Sequence, residues 1–192
     1  MKMPAAFLLA IAPAIAAAQV NPDTLQTPPS SRWFSIDQTS NGFVAGGNLR
    51  GTAWAFHVQG AQMKRLGDKN STTFSVDGAV IQVVPVPRGT IPGADSNVLE
   101  AHRKFEQEHQ RRNSPKGIEF GEQGFCRGAQ FPHQEWTARM PSVRGPIAQA
   151  TVTFEVGDYV LMVVLPFEND ARQQAVARTI ADICTSFRRQ KV

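Results

Sequence analysis

The chain has 192 residues, and its 20 lysines and arginines against 16 aspartates and glutamates give a formal net charge of +4. Apolar residues make up 42%, as in an ordinary globular protein, and 13 prolines and 15 glycines are too few and too aperiodic for a fibrous or wholly disordered chain. After residue 20 the sequence has no apolar run of the ~18 residues that a membrane-spanning helix needs.

The N-terminus has the features of a secretory signal peptide. Lys2 supplies a positive start, Ala5 to Ile15 form a short apolar stretch, and Ala16 and Ala18 occupy the two small-residue positions before a cleavage site. A buried N-terminal helix is the alternative, but Pro13 would break it. We expect export to the periplasm or secretion. The predicted segments are a signal peptide over 1–18, a flexible tail over 19–31 and a single α+β domain over 32–192.

The first part of the predicted domain has the patterns of β-hairpins. Asn41-Gly42 is a turn signal, and Thr52 to Val58 forms a strand by its alternation. Asp77-Gly78 is a second turn signal, and the apolar residues 79–84 follow it as a strand. We expect Pro85 and Pro87 to end that strand, since neither has an amide hydrogen to donate.

A helix is predicted from Ser96 or Asn97 to about Arg112. Asn97 with Glu100 three residues later fits a capping box. The apolar residues on which the helix is expected to pack are Val98, Leu99, Ala101 and Phe105.

The last third of the chain predicts strands and then a second helix. Residues 117–131 form one or two strands and 134–140 another, and Gly157-Asp158 joins a hairpin whose second strand, 159–165, is apolar enough to be central. The helix begins at Asn169 or Asp170, with Arg188 and Arg189 placed near its C-terminal end to favour its dipole. Its apolar stripe contains Val176, Ile180, Ile183 and Phe187.

This order of elements predicts an α+β fold, with a mainly antiparallel sheet and flanking helices in a layered sandwich. An exported protein reaches an oxidising compartment, so we expect Cys126 and Cys184 to form one disulfide. Free buried thiols are the alternative. Neither cysteine has the spacing of a redox pair or a zinc site.

The chain resembles PsbP-like α/β/α sandwich domains over residues 74 to 189. The features shared are an apolar strand ending in proline, a charged amphipathic helix, several strands, an apolar strand, and a C-terminal helix that ends in Ser186-Phe187-Arg188. The resemblance implies a small, mostly non-enzymatic extracytoplasmic accessory domain.

Few residues suggest a reaction. His102, Glu106 and His109 share a helix, and either His–Glu pair has metal-chelating spacing, although the two histidines are ~10 Å apart along the axis. We favour a solvated charged face at these residues, with no metal site and no cofactor. Cys126 with His133 makes a nucleophile pair only if the cysteine is free. Three further carboxylates lie close in sequence, Glu119, Glu122 and Glu135.

Charge and aromatic residues also favour simple interpretations. The predicted first helix mixes arginines and a lysine with glutamates, which predicts intrahelical ion pairs rather than a nucleic-acid surface. Trp33, Trp54 and Trp136 are expected in the core, with an exposed carbohydrate or peptide platform as the alternative.

The sequence therefore favours an exported, non-enzymatic binding or accessory protein that acts through another envelope or secreted protein. A toxin-neutralising immunity protein is one compatible version. The alternative is a small exported hydrolase or metal-binding enzyme that uses the histidine helix or the three carboxylates.

Overall fold

A computed structural model describes residues 33–68, 71–114, 117–122, 124–141, 146–168 and 170–191, and the side chains of 170 and 171 are not described. These residues form eleven strands in two sheets and two long helices. In chain order the strands are β1 (Ser35–Thr39), β2 (Gly42–Leu49), β3 (Thr52–Gln59), β4 (Met63–Leu66), β5 (Thr73–Val76), β6 (Ala79–Pro87), β7 (Glu119–Gly121), β8 (His133–Met140), β9 (Ile147–Val156), β10 (Tyr159–Phe167) and β11 (Arg188–Lys191). The helices are α1 (Val98–Asn113) and α2 (Asp170–Ser186), and a single 3-10 turn covers Arg88–Thr90.

All pairings between the described strands are antiparallel. One sheet has the order β1-β2-β3-β11, and the other has the order β4-β5-β6-β10-β9-β8-β7. The predicted central position of β10 is confirmed, because β6 and β9 flank it. The predicted α+β class with antiparallel pairing is also confirmed, whereas the sequence analysis did not anticipate the division into two sheets.

Tight turns set the register of the hairpins. Asp77 and Gly78 have φ angles of 47° and 85°, the two positive values that a type I′ turn requires, and the same pair of values recurs at Arg50 and Gly51. Gly157 has a φ of 57°, as the first central position of a type II′ turn requires. Two-residue turns of these types match the twist of the strands, so each hairpin continues directly into paired residues.

The prediction that prolines end β6 is correct for Pro87, its last residue, but wrong for Pro85, through which the strand continues. The amide of Val83 donates to the carbonyl of Thr72 on the β5 side, at 3.2 Å. Backbone directions alternate along a strand, so the nitrogens of Pro85 and Pro87 face the same side, beyond the end of β5. The other side of β6 pairs with β10 up to Tyr159. Prolines are tolerated here because the described strand β5 ends before it could accept hydrogen bonds at these positions.

The seven-stranded sheet is covered on both faces. Helix α1 and the loop before it cover one face, where Val98 and Leu99 pack with Val160. The opposite face packs against α2 and the smaller sheet in one hydrophobic cluster, to which β10 contributes Leu161 and Val163. The predicted stripe of α2 is confirmed as buried in this cluster: Val176, Ile180, Ile183 and Phe187.

The chain after α2 differs from the prediction, because Arg188 and Arg189 belong to strand β11. Arg188 still donates to the carbonyl of Thr185 at 3.1 Å, at the end of the helix. β11 pairs with β3 only as far as Ala55. Beyond that point, the Ser186 hydroxyl accepts from the amide of His57 at 2.8 Å. The end of α2 thus completes the edge of β3 that β11 leaves unpaired.

The predicted disulfide between Cys126 and Cys184 is confirmed, with Cα atoms 5.3 Å apart. It joins the turn-rich segment 124–131 to α2. The prediction of one or two strands over 117–131 is correct only for the three residues of β7. The expected signal peptide and tail, 1–31, lie outside the described residues. Among those that are described, no helix combines the length and the apolar character that a membrane crossing requires.

Candidate functional site

Helix α1 carries most of the residues that the sequence analysis singled out. Its predicted start is confirmed, because the side chain of Asn97 accepts from the amide of Glu100 at 3.2 Å. This cap satisfies one of the amides that the first turn leaves without a helical partner. The helix lies over β8, β9 and β10 of the large sheet.

The predicted packing face of α1 is correct at Val98 and Leu99 but wrong further along the helix. His102 and Glu106 are buried with Val98 and Leu99, while Ala101 and Phe105 are only half-buried. The expectation that His102 and Glu106 lie on a solvated face is therefore wrong. The residues 98, 102 and 106 are four apart, so they form one stripe along a helix, and the apolar cluster at its start orients the whole stripe toward the sheet.

The ring of His102 has no solvent exposure and lies beside Trp136, with ring centroids 6.4 Å apart. Its Nε2 is 3.7 Å from Oε1 of Glu106, a contact beyond hydrogen-bond distance that is ionic only when the imidazole carries a proton. Trp136 of β8 stands directly opposite Thr151 of β9. Residues opposite each other in an antiparallel pair share a face, so both side chains lie beneath α1.

This interface concentrates buried polar atoms that have no hydrogen-bond partner. In the described part of the chain, seven buried side-chain nitrogens and oxygens lack one, and six of these belong to α1 or to the strands that it covers. The six are Nδ1 and Nε2 of His102, Nε of Arg103, Oε1 of Gln110, Nε1 of Trp136 and Oγ1 of Thr151. Buried polar atoms are normally paired, so such a concentration at one interface calls for a physical explanation.

Burial also determines the charge states of the two titratable groups here. It lowers the pKa of His102 to about 4, because the imidazolium would lose its hydration. Burial raises the pKa of Glu106 for the same reason, and the nearby His109 acts in the opposite direction. His102 is therefore neutral at pH 7, and the interface disfavours charge on both residues.

The outer side of α1 lines an open groove of about 480 Å³. Phe105 and Ala101 form its apolar side, and Pro92 and Gly93 of the preceding loop face them. The rim of the groove is the row of Glu100, Lys104, Glu108 and Arg112, spaced four residues apart. We call this surface the α1 groove.

The rim charges of the α1 groove are paired along the helix. Glu100 contacts Lys104 at 2.8 Å, and Glu108 contacts Arg112 at the same distance. The predicted intrahelical ion pairs are thus confirmed. Exposed pairs of this kind contribute little stability and exchange easily with other charged partners. The groove therefore has an apolar side next to a rim of alternating charges. The rim has no net charge, so it selects neither an anion nor a cation.

The structure brings His102 and Glu106 to within 3.7 Å of each other but does not assemble a three-ligand site from the candidate residues. His109 lies on the same helix as His102 but contacts Asn113, at 2.9 Å from its Nε2. Nowhere in the described ranges does a group of three or more histidine, cysteine, aspartate or glutamate side chains have the geometry to hold a metal ion.

The three carboxylates that were considered for a hydrolase are also separate. Glu122 is exposed and pairs with Arg103 of α1. Glu135 accepts from the amide of Cys126 at 3.0 Å. Glu119 is exposed at the start of β7, a strand at the sheet edge. Two of the three thus have structural partners.

The remaining candidates have structural roles. Cys126 is bonded to Cys184 and so is not a nucleophile, and His133 contacts the carbonyl of Phe131 at 3.1 Å. Trp54 and Trp136 are buried, as the core interpretation predicted, and lie on opposite sides of the large sheet. Trp33 is partly buried against the main cluster, so the three tryptophans form no common platform.

Comparison with protein-family models finds no match for this chain, and comparison with curated proteins finds none either.

Proposed function

We propose that this chain is an exported, non-enzymatic accessory protein that binds a protein partner through the α1 groove. The observation that carries the proposal is an apolar groove on the outside of a helix whose inner side is buried. Phe105 and Ala101 remain half-buried there although the predicted packing would have placed them in the core. An aromatic side chain beside a small residue is suited to receive an apolar anchor from a partner.

The occupant that we propose is an amphipathic helix of the partner. A helix laid along α1 would meet the four-residue repeat of Glu100, Lys104, Glu108 and Arg112 with its own charges. Its apolar side chains would fill the space between Phe105 and Pro92. Because the rim carries equal numbers of both signs, the partner needs alternating charges rather than a strong charge of one sign.

Export is part of the proposal. The disulfide between Cys126 and Cys184 suits an oxidising compartment, and the expected signal peptide over 1–18 would deliver the chain there. We also retain the PsbP-like resemblance and its layered sandwich as proposals. Their support is a helix on each face of an antiparallel sheet.

The test uses two variants of the groove and one matched control. Phe105→Ala removes the apolar wall and Ala101→Arg fills the groove, while Gln174→Arg adds the same charge at an exposed position of α2. A partner captured from envelope extract is identified, purified and titrated against each variant by calorimetry. We expect one-to-one binding that Gln174→Arg preserves, and that both groove variants weaken by at least about tenfold, the equivalent of 1.4 kcal/mol. A partner that binds both groove variants as tightly as the original chain would refute this surface.

A further inference from the structure

Helix α1 is attached to the sheet unevenly along its length. Its first turn packs in a small apolar cluster, in which Val98 and Leu99 contact Ile91, Ala94 and Val160. From His102 onward the buried side chains of the helix are the polar His102 and Glu106, and the unpartnered atoms described above lie at this part of the interface. Apolar burial stabilises the first turn, while desolvated and unpaired polar atoms weaken the attachment of the rest.

Among the described residues around His102, Glu106 is the group that can supply a negative charge to its protonated ring. From β8 and β9 the ring faces Trp136 and Thr151, which carry no charge. On β10 the same face carries Val160 and Met162, also uncharged. The further charged groups on this side are held by other partners, since Glu155 pairs with Arg88 and Glu122 with Arg103. His109, which bonds to Asn113, acts on Glu106. Among the residues that the structure describes, a proton on His102 would therefore meet Glu106, at 3.7 Å, as its counter-charge.

We infer that acidification releases the part of α1 after its first turn from the sheet, with protonation of His102 as the trigger. In the open state, with this part of α1 away from the sheet, the six unpartnered atoms could bind water. In the closed state, with α1 on the sheet, they lack hydrogen bonds, so the same atoms that weaken the closed state favour opening. The first turn would act as the hinge, because its apolar cluster contains no titratable group.

The biological role of this release rests on the proposed function. If α1 moves away from the sheet, the α1 groove is lost, and the bound partner would dissociate at low pH. Release itself needs no partner and can be measured in the free protein. The two proposals can thus fail independently.

The size of the effect follows from linkage. With a pKa of about 4 in the closed helix and the ordinary value of 6.5 in the open one, His102 favours opening about 30-fold more at pH 5 than at pH 7.5. Glu106 acts in the opposite direction, because a raised pKa in the closed state makes protonation on acidification favour closure. The original chain should therefore respond less than a variant in which Glu106 cannot titrate.

The experiment is hydrogen exchange of the full folded chain at pH 7.5 and pH 5, expressed as protection factors so that the intrinsic pH dependence cancels. In Glu106→Gln we expect the protection of residues 103–113 to fall about 30-fold at pH 5, and in the original chain by less. In His102→Leu the fall should be absent. Helix α2, whose buried stripe is apolar, is the internal control and should keep its protection.

A second substitution separates titration from packing. His102→Gln keeps a polar side chain but removes the proton, so protection of α1 should be independent of pH even if it is lower throughout. An acid-dependent loss in His102→Gln comparable to that in Glu106→Gln would overturn the inference. Unchanged protection of α1 at pH 5 in Glu106→Gln would also overturn it, and so would equal losses in α1 and α2, which would indicate global unfolding.

Discussion

At the scale of single residues, His102 shows why the packing face of α1 was mispredicted beyond its first turn. The sequence analysis assigned the face by counting apolar side chains, which favoured Ala101 and Phe105. The apolar cluster at Val98 and Leu99 is stronger, because it packs against β10. Rotating the helix to satisfy that cluster buries His102, and its imidazole then loses water without gaining a hydrogen bond.

Burial of the unpartnered imidazole of His102 should lower the free energy of unfolding. His102→Leu replaces two unpartnered nitrogens by an apolar group of similar size, so the free energy of unfolding at pH 7.5 should rise by about 1–2 kcal/mol. Urea denaturation measures the change. His109→Leu, on the same helix but partly exposed and bonded to Asn113, is the control and should not stabilise. A loss of stability in His102→Leu would show that the imidazole has a partner in solution.

Burial of His102 should also make the stability of the chain depend on pH. The pKa of His102 is lower in the folded chain than in the unfolded one, so its contribution is complete above pH 6.5 and is lost as the pH falls toward about 4. Glu106, whose pKa is raised by burial, contributes a slope of the opposite sign. His102→Leu should therefore retain more of its stability between pH 6.5 and pH 4 than the original chain, as urea midpoints at several pH values would show.

At the scale of helices and strands, short sequence signals predicted the ends of an element wherever a turn or a helix cap determines them. Asp77-Gly78 and Gly157-Asp158 form the hairpin turns as predicted, and Asn97 caps its helix. The turn predicted at Asn41-Gly42 lies one residue earlier, at Ser40 and Asn41, because Gly42 already pairs with Thr39. The larger failures are β11 and the passage of β6 through Pro85. Both depend on which strand lies alongside, and no local pattern carries that information.

The contact that joins α2 to β3 gives a prediction at this scale. Ser186→Ala removes the oxygen that accepts from the amide of His57, so the free energy of unfolding should fall by about 1–2 kcal/mol. Thr185→Ala is a matched control, since that exposed hydroxyl bonds only within its own helix, to Ala181 and Asp182. Thermal unfolding of both variants measures the difference, and equal effects would show that the edge of β3 does not need Ser186.

At the scale of the whole molecule, one hydrophobic cluster draws on both sheets and α2. The disulfide adds a covalent link between this cluster and the turn-rich segment after β7, because Cys126 and Cys184 are both buried. Few regular hydrogen bonds hold residues 124–131, so the bond to α2 and the contact of the Cys126 amide with Glu135 keep this segment in place.

The disulfide should stabilise the folded chain because it restricts the conformations of the unfolded chain. Its cysteines are 58 positions apart, for which loop closure gives a stabilisation of about 4 kcal/mol at most. Replacing both with alanine should lower the free energy of unfolding by up to that amount, as urea denaturation would show. Reduction of the original chain should reproduce the loss, while leaving the double variant unchanged. Two free thiols in unreduced, denatured protein would contradict the bond.

Local patterns were enough to predict the strands with clear turns, the extent of α1 and the buried stripe of α2, because each depends on neighbouring residues. The two cysteines could be paired because the chain has no other thiol. The division into two sheets, the passage of β6 through Pro85 and the burial of His102 and Glu106 became visible only in the folded chain. These depend on contacts between distant segments. The free energy of such contacts outweighs local preference when a helix selects which of its faces to bury.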